Sequence, residues 1–357
     1  MDQLNAHLDR GWDLAQKGDT HGAGESARRA IALAPDSAEA HNLLGFVASL
    51  DGDCEEAVEA YQQAILLDDT FVEAMLSAAE LLVHPVGDFD EALLMCERVL
   101  DISDFDDEIL DAQLLKFEAL WAKGKLDEAT ALLGRLPRGP FEKSGHNFLA
   151  GRAYFEGGQL DHAKVLLRAA LELDPTHAEA HYYDGLIAER EERQHDANSA
   201  FLRVRQLELH AGIPPWAPDE KTFMAITRRA VDSLPKELRD PVLAAELFVV
   251  DLPGAEVIVD GVDVHALVLA EATPSPHAIG DASHAGHDHA GHDHAGHDHA
   301  GHDHGGGAPR WRLFLYALNV LRVAGSLDAV EEHIRDALEH EIGLAMADLA
   351  RHQQSRA

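Results

Sequence analysis

Self-similarity at a spacing of 34 residues constrains this chain more than any other feature. Gly11 and Gly45, Ala23 and Ala57, Ala30 and Ala64, Gly151 and Gly185, and Ala163 and Ala197 each stand one such step apart. A period of this length marks stacked supersecondary units, each too small to bury its own apolar face. Small residues at the eighth and twentieth positions let two antiparallel helices approach closely. Ala30, Ala64 and Ala170 repeat a third small position, and Pro35 and Pro175 stop the second helix of two units. Larger side chains at the twenty-fourth position, Tyr61 and Phe201, fill the gap to the next unit. Six units can be counted, the first two starting near Leu4 and Ala38. The third, near Val72, carries one extra residue around His84-Pro85-Val86-Gly87, which displaces its alanine to Ala92. The fourth, around Ile109 to Leu136, keeps Gly124 and Ala129 but has Phe117 at the eighth position. The fifth and sixth are regular. Leu136-Pro137-Arg138-Gly139-Pro140 is a break at which the stack can change direction.

Over residues 4–208 these positions resemble the tetratricopeptide repeat. The resemblance implies a helical solenoid with no chemistry of its own, presenting a groove lined by the first helix of each pair. The groove positions are Trp12, Asn42, Phe46, Phe148, Arg152, Phe155, Tyr182 and Glu189, which together would bind a protein or peptide partner. Some relatives grip a C-terminal carboxylate with a Lys/Asn/Arg clamp, and that clamp is not visible here. Cys96 falls at the twenty-fourth position and is expected to be a small core residue, while Cys54 falls in an interhelical turn. Two isolated cysteines make neither a disulfide framework nor a zinc knuckle.

Charge narrows the partner. The chain has 64 acidic against 29 basic residues, a formal net charge of −35. Phosphate backbones and anionic membrane surfaces need clustered Lys and Arg, so nucleic acid and membrane are not expected as partners. A basic or apolar protein fits better. At 357 residues there is room for two or three domains, and 46% hydrophobic with only 6% aromatic residues suits helices. The N-terminus lacks a basic segment followed by an apolar one, and no run of about 18 apolar residues occurs. The expected location is the cytoplasm.

The pattern changes at the proline-rich stretch within 209–219. Apolar residues at 223, 226, 230, 231 and 234 predict a helix, and Leu247 to Val250 a strand. Val257, Val259, Val262 and Val264 around Asp260-Gly261 predict a hairpin. Arg312 to Leu321 is strand or helix, and Leu327 to Leu349 a long helix. Ala230-Val231-Asp232-Ser233-Leu234-Pro235, Leu247-Phe248-Val249-Val250-Asp251-Leu252-Pro253 and the run from Arg312 to His340-Glu341-Ile342-Gly343 resemble the minimal zincin-like metallopeptidase family of bacteria, over 220–350. The resemblance implies a small α+β domain behind a mainly α solenoid. It maps His340 to the first zinc ligand and Glu341 to the general base. Leu344 stands where the second ligand belongs, Ala347 where glycine is usual and Ala350 at the acidic spacing, with Asp348 two positions early. Catalytic zinc takes three protein ligands and leaves one position for water. His333 is seven residues before His340, about 10 Å along a helix, and cannot share its ion. Zinc at His340 is therefore expected to be weak or absent, and the domain catalytically impaired.

Within that domain, 281–307 is a Gly-His-Asp-His-Ala repeat expected to be a disordered loop. Its His287, His289, His292, His294, His297, His299, His302 and His304 are ligands for Zn²⁺, Ni²⁺ or Cu²⁺. Three readings stay open. One is an interaction scaffold with an impaired zincin-like domain, another a divergent zinc-dependent metallopeptidase, and the third a metal-binding or metal-delivery protein built on the repeat.

Overall fold

The computed structural model describes residues 3–273 and 310–354. They fall into two compact units, Met1–Ala197 and Asn198–Ala357. In the first unit six helices hold odd places in the array: α1 (Gln3–Gln16), α3 (Ala38–Asp51), α5 (Val72–Leu81), α7 (Asp106–Ala122), α9 (Ser144–Glu156) and α11 (Ala178–Arg190). Each is followed by its partner: α2 (Thr20–Leu33), α4 (Cys54–Leu67), α6 (Phe89–Ile102), α8 (Leu126–Leu133), α10 (Leu160–Leu173) and α12 (Gln194–Ala211). From Asn198 onward, α12 is counted with the second unit.

The repeat chemistry explains the pairing. Ala23, Ala57, Ala92, Ala129, Ala163 and Ala197 are completely buried, as are Ala30, Ala64 and Ala170. A Cβ added to Gly45 would stand 2.8 Å from the Tyr61 ring, and one on Gly151 would stand 2.9 Å from Leu167 Cγ and 3.3 Å from its backbone nitrogen. Contact that close leaves room for hydrogen only, so glycine sets the spacing of these two helix pairs. Three of the second helices start on an aspartate: the side chains of Asp19, Asp53 and Asp88 accept hydrogen bonds from the N–H groups of Gly22, Glu56 and Glu91. The second interval is one residue longer than the first. The extra residue is taken up at a kink within Leu82–Val86, where His84 is extended (φ −142°, ψ 116°) and Gly87 turns the chain at φ +77°.

Unit four departs from the rest. Its second helix, α8, has 8 residues where α2, α4, α6 and α10 have 14. Phe117 fills the space, 3% exposed and stacked on Trp121 with centroids 5.5 Å apart. The break at 136–140 is closed by Asn147, which is completely buried. Its Oδ1 accepts from Phe141 N at 2.8 Å, and its Nδ2 donates to Phe141 O at 2.7 Å and Lys143 O at 3.0 Å. Cys96 is buried among the apolar residues of units two to four, and burial pushes its thiol up to about 12, so it is an inert packing residue.

The second unit continues with α13 (Glu220–Ser233), α14 (Lys236–Ala244), β1 (Glu246–Val250) and a short α15 (Ala255–Val259). Then come β2 (Val268–Thr273), β3 (Arg310–Tyr316), α16 (Ala317–Ala324) and α17 (Val330–Gln354). The sheet order is β1-β3-β2, with β1 parallel and β2 antiparallel to β3. Leu313 and Leu315 point from β3 into a core shared with Ile226 and Ala230 of α13 and with Val330, Ile334, Leu338 and Ile342, one stripe of α17 at four-residue spacing. Helix α12 runs on to Ala211, so the irregular stretch before α13 is 212–219 rather than 209–219. The segment 312–321, open between strand and helix, is both: strand to Tyr316, helix from Ala317.

The hairpin expected at 257–264 is not there. Val257 and Val259 belong to α15, and Ile258 between them is 1% exposed, which alternation would have placed outside. Gly261, at φ +100°, ends the helix: its N–H bonds Ile258 O, and that of Val262 bonds Val257 O. An Asp-Gly pair serves a helix end as well as a hairpin turn, since both need a positive φ.

Candidate functional site

The first helices of neighbouring units enclose a row of hollows. One, about 530 Å³, lies between α1, α3 and α5 and is lined by Trp12, Ala38, Glu39, Asn42, Asp68, Phe71 and Glu73. The Trp12 ring also meets Phe46, centroids 5.1 Å apart. Asn42 is only 2% exposed; its Nδ2 donates to Glu73 Oε1 at 3.4 Å, and its Oδ1 has no hydrogen-bond partner. Asp68 accepts from the Thr70 hydroxyl and N–H, which hold its carboxyl below the ordinary carboxylate range. No basic side chain lines this hollow.

The next hollow, about 250 Å³, includes Glu80, Asp111 and Glu118 beside Leu76, Leu114 and Leu149. Asp111 meets Nε2 of the buried His146 at 2.9 Å; burial raises its carboxyl against that neighbour's pull. A third, about 230 Å³, joins His84, Glu118, Trp121, Arg152, Glu156 and Tyr183. There Glu118 accepts from Arg152 and meets His84 Nε2 at 3.0 Å, so Arg152 is neutralised within the protein. Tyr183 donates to Glu156 at 3.2 Å, and burial holds its hydroxyl proton above the ordinary range.

The expected groove residues therefore differ in what they present. Trp12, Phe46, Arg152 and Tyr182 are half-buried and Glu189 is exposed. Phe148 and Phe155 do not line a surface. They are 8% and 4% exposed, packed in the core with Tyr183, because the fifth unit turns more of its first helix inward. The acidic wall was missed, although its signal is periodic: Glu39 and Glu73 lie 34 residues apart at the second repeat position, and Asp111 holds the same place in unit four.

On α17, His340 is exposed and Glu341 half-buried. Glu341 Oε1 accepts from Ala270 N of β2 at 3.2 Å. Buried Tyr316 lies in the field of Glu271, Glu341 and Glu256; burial first, then those charges, push its hydroxyl up to about 12. Leu344 is 49% exposed and offers no donor, and His333 Nδ1 is bonded to Ala329 O at 2.9 Å. Among the described residues no three His, Cys, Asp or Glu side chains could hold one metal ion. The side chains of Asp348 and Ala350 and the repeat histidines (His287, His289, His292, His294, His297, His299, His302, His304) lie outside the described residues.

The tetratricopeptide repeat family matches at residues 8–68, and a TPR repeat again at 151–189. The first unit thus carries tetratricopeptide repeats. No curated protein matches the chain. Among solved structures, PilF of Pseudomonas aeruginosa is similar at 17% identity and a TM-score of 0.49, covering 57% of this chain and 91% of its own. PilW, a type IV pilus biogenesis factor, is similar at 16% identity and a TM-score of 0.49, covering 62% and 98%. YrrB, a TPR protein with an unusual peptide-binding site, is similar at 23% identity and a TM-score of 0.39, covering 53% and 98%. Among the described residues no helix is long and apolar enough to cross a membrane.

Proposed function

We propose that this protein is an interaction scaffold whose first helices bind a basic or apolar protein segment. The observation that carries the reading is the row of hollows on the repeat array that combine aromatic or aliphatic walls with carboxylates. Exposed negative charge on a preformed surface attracts cationic partners and rejects anionic ones. Peptides retained by the full chain from a random library should photo-cross-link to a benzophenone placed at Tyr182 or Glu189. They should not cross-link to one at Leu66, which is 76% exposed on the second helix α4. Retention of no peptide, or equal labelling at Leu66, removes the scaffold reading.

For the second unit we propose a zincin-like domain without peptidase activity, kept for structure or binding. Support comes from the lone exposed His340 and from Glu341, whose carboxylate is tied to the β2 backbone. One imidazole cannot hold zinc against dialysis. We further propose that any bound Zn²⁺, Ni²⁺ or Cu²⁺ sits on the histidine repeat. Dialysed protein should carry metal that disappears when 284–304 is deleted, with no peptide hydrolysis in either form. Hydrolysis abolished by Glu341→Gln would reinstate the metallopeptidase.

A further inference from the structure

The hollow between α1, α3 and α5 has a feature that helix stability does not explain. Glu39 and Glu73 sit in first helical turns, where the helix dipole favours an acid whether or not anything binds. Asn42 has no such excuse. It is 2% exposed, it uses one donor on Glu73, and its carbonyl oxygen is left without a partner. An unpaired buried acceptor costs roughly 1–3 kcal/mol, and an apolar side chain at this place would avoid that cost. Asn42 lines a hollow whose other polar groups, Glu39, Asp68 and Glu73, are acceptors. Asp68 and Glu73 accept from uncharged donors, Thr70 and the Asn42 amide, no basic side chain is in the lining, and two aromatic rings, Trp12 and Phe71, supply flat faces.

We infer that this hollow is a subsite for an arginine side chain of a bound peptide. The inference rests on the scaffold reading and adds the chemistry of one contact to it. A guanidinium carries five N–H donors in a plane, no acceptor and a permanent charge. Its edge can donate to Asn42 Oδ1 and to the carboxylates while its face covers an aromatic ring, a combination the compact ammonium of lysine cannot reproduce. Asp68 stays ionised, since the Thr70 hydrogen bonds lower its pKa, so the charge it offers persists under mildly acid conditions.

The test uses the full chain with acetyl-Gly-Arg-Gly-amide as probe, read by the resonances of the Trp12 indole and the Asn42 side-chain amide. Both should shift saturably. The citrulline peptide, equal in shape and uncharged, should bind at least about tenfold more weakly. The lysine peptide should fall between them, and E39Q/E73Q should weaken arginine binding by about tenfold while the protein stays folded, with only a small drop in melting temperature from the lost helix-dipole contacts. Should that double variant fold poorly, D68N at the exposed turn is the substitute and should weaken binding in the same direction. Equal binding of arginine and citrulline, or shifts confined to other residues, overturns the subsite. If library peptides cross-link at 182 and 189 but show no arginine preference and ignore E39Q/E73Q, the subsite fails and the scaffold stands. If no peptide is retained at all, both fail.

Discussion

Replacing Phe117 by glycine, the residue usual at this place in the repeat, should cost roughly 4–6 kcal/mol rather than stabilise the protein. Removing a buried phenylalanine side chain accounts for about 3–5 of this, through lost transfer energy and the cavity left behind. Glycine in a helix interior adds about 1 more. In units one, two, five and six a glycine here lets the partner helix come close, and at Gly45 and Gly151 there is no space for a methyl group. In unit four the partner helix α8 spans 8 residues, and Phe117 supplies the apolar volume between it and Trp121. A loss of this size rivals the whole stability of a small domain, and in a repeat array it falls first on the neighbouring units. Hydrogen exchange should show α7 and α8 losing protection before α1 and α2, and urea unfolding should shift to lower denaturant. Phe117→Leu, which keeps most of the volume, should lose much less. A glycine variant as stable as the parent would mean that the general repeat preference outweighs the local packing, and the account of unit four would be wrong.

Unit four also shows what was legible in the chain and what was not. The period fixed the small positions because close helix contact tolerates only Gly or Ala there, and all six alanines of the twentieth position are buried. The irregularities were visible as positions without a visible remedy. The extra residue near His84 is countable, but the kink that absorbs it, with His84 extended and Gly87 at positive φ, is not. In the second unit, alternation of valines around Asp260-Gly261 imitates a strand pair, and only the burial of Ile258 shows that the segment winds. The groove was half legible. Aromatic positions such as Trp12 and Phe46 were read from repeat numbering, but the same numbering cannot tell a lining residue from Phe148, which faces the core. The carboxylates at the second position looked like ordinary helix-start acids. Their role becomes visible only when Asn42 is seen buried beside them with an unused oxygen.

Asn147 is where the array survives its own break, and Asn147→Ala should cost roughly 2–4 kcal/mol. The side chain is completely buried and spans the turn that joins unit four to unit five. Its loss strands the N–H and the carbonyl of Phe141, whereas Lys143 O keeps the hydrogen bond it accepts from Asn147 N. Two stranded groups at roughly 1–3 kcal/mol each, lessened where water reaches them, give that range. Asn147→Asp separates the hydrogen-bond argument from simple loss of volume. The carboxylate can still accept from Phe141 N, but it faces Phe141 O with a second acceptor and carries a buried charge. Its pKa in the folded protein must therefore lie above the value of about 3.9 in the unfolded chain. With the folded pKa raised, the folded state binds more protons than the unfolded one between the two values, so stability falls as pH rises through that window. The Asp variant should be less stable than the Ala variant at pH 7, and the gap should close as pH falls towards 4.5, where the protonated carboxyl donates to Phe141 O. Urea titrations of both variants from pH 7 to 4.5 decide it. An alanine variant within about 0.5 kcal/mol of the parent, the ordinary range for a surface change, or an Asp variant that tracks alanine at every pH, would show that the turn at 136–147 holds by packing alone.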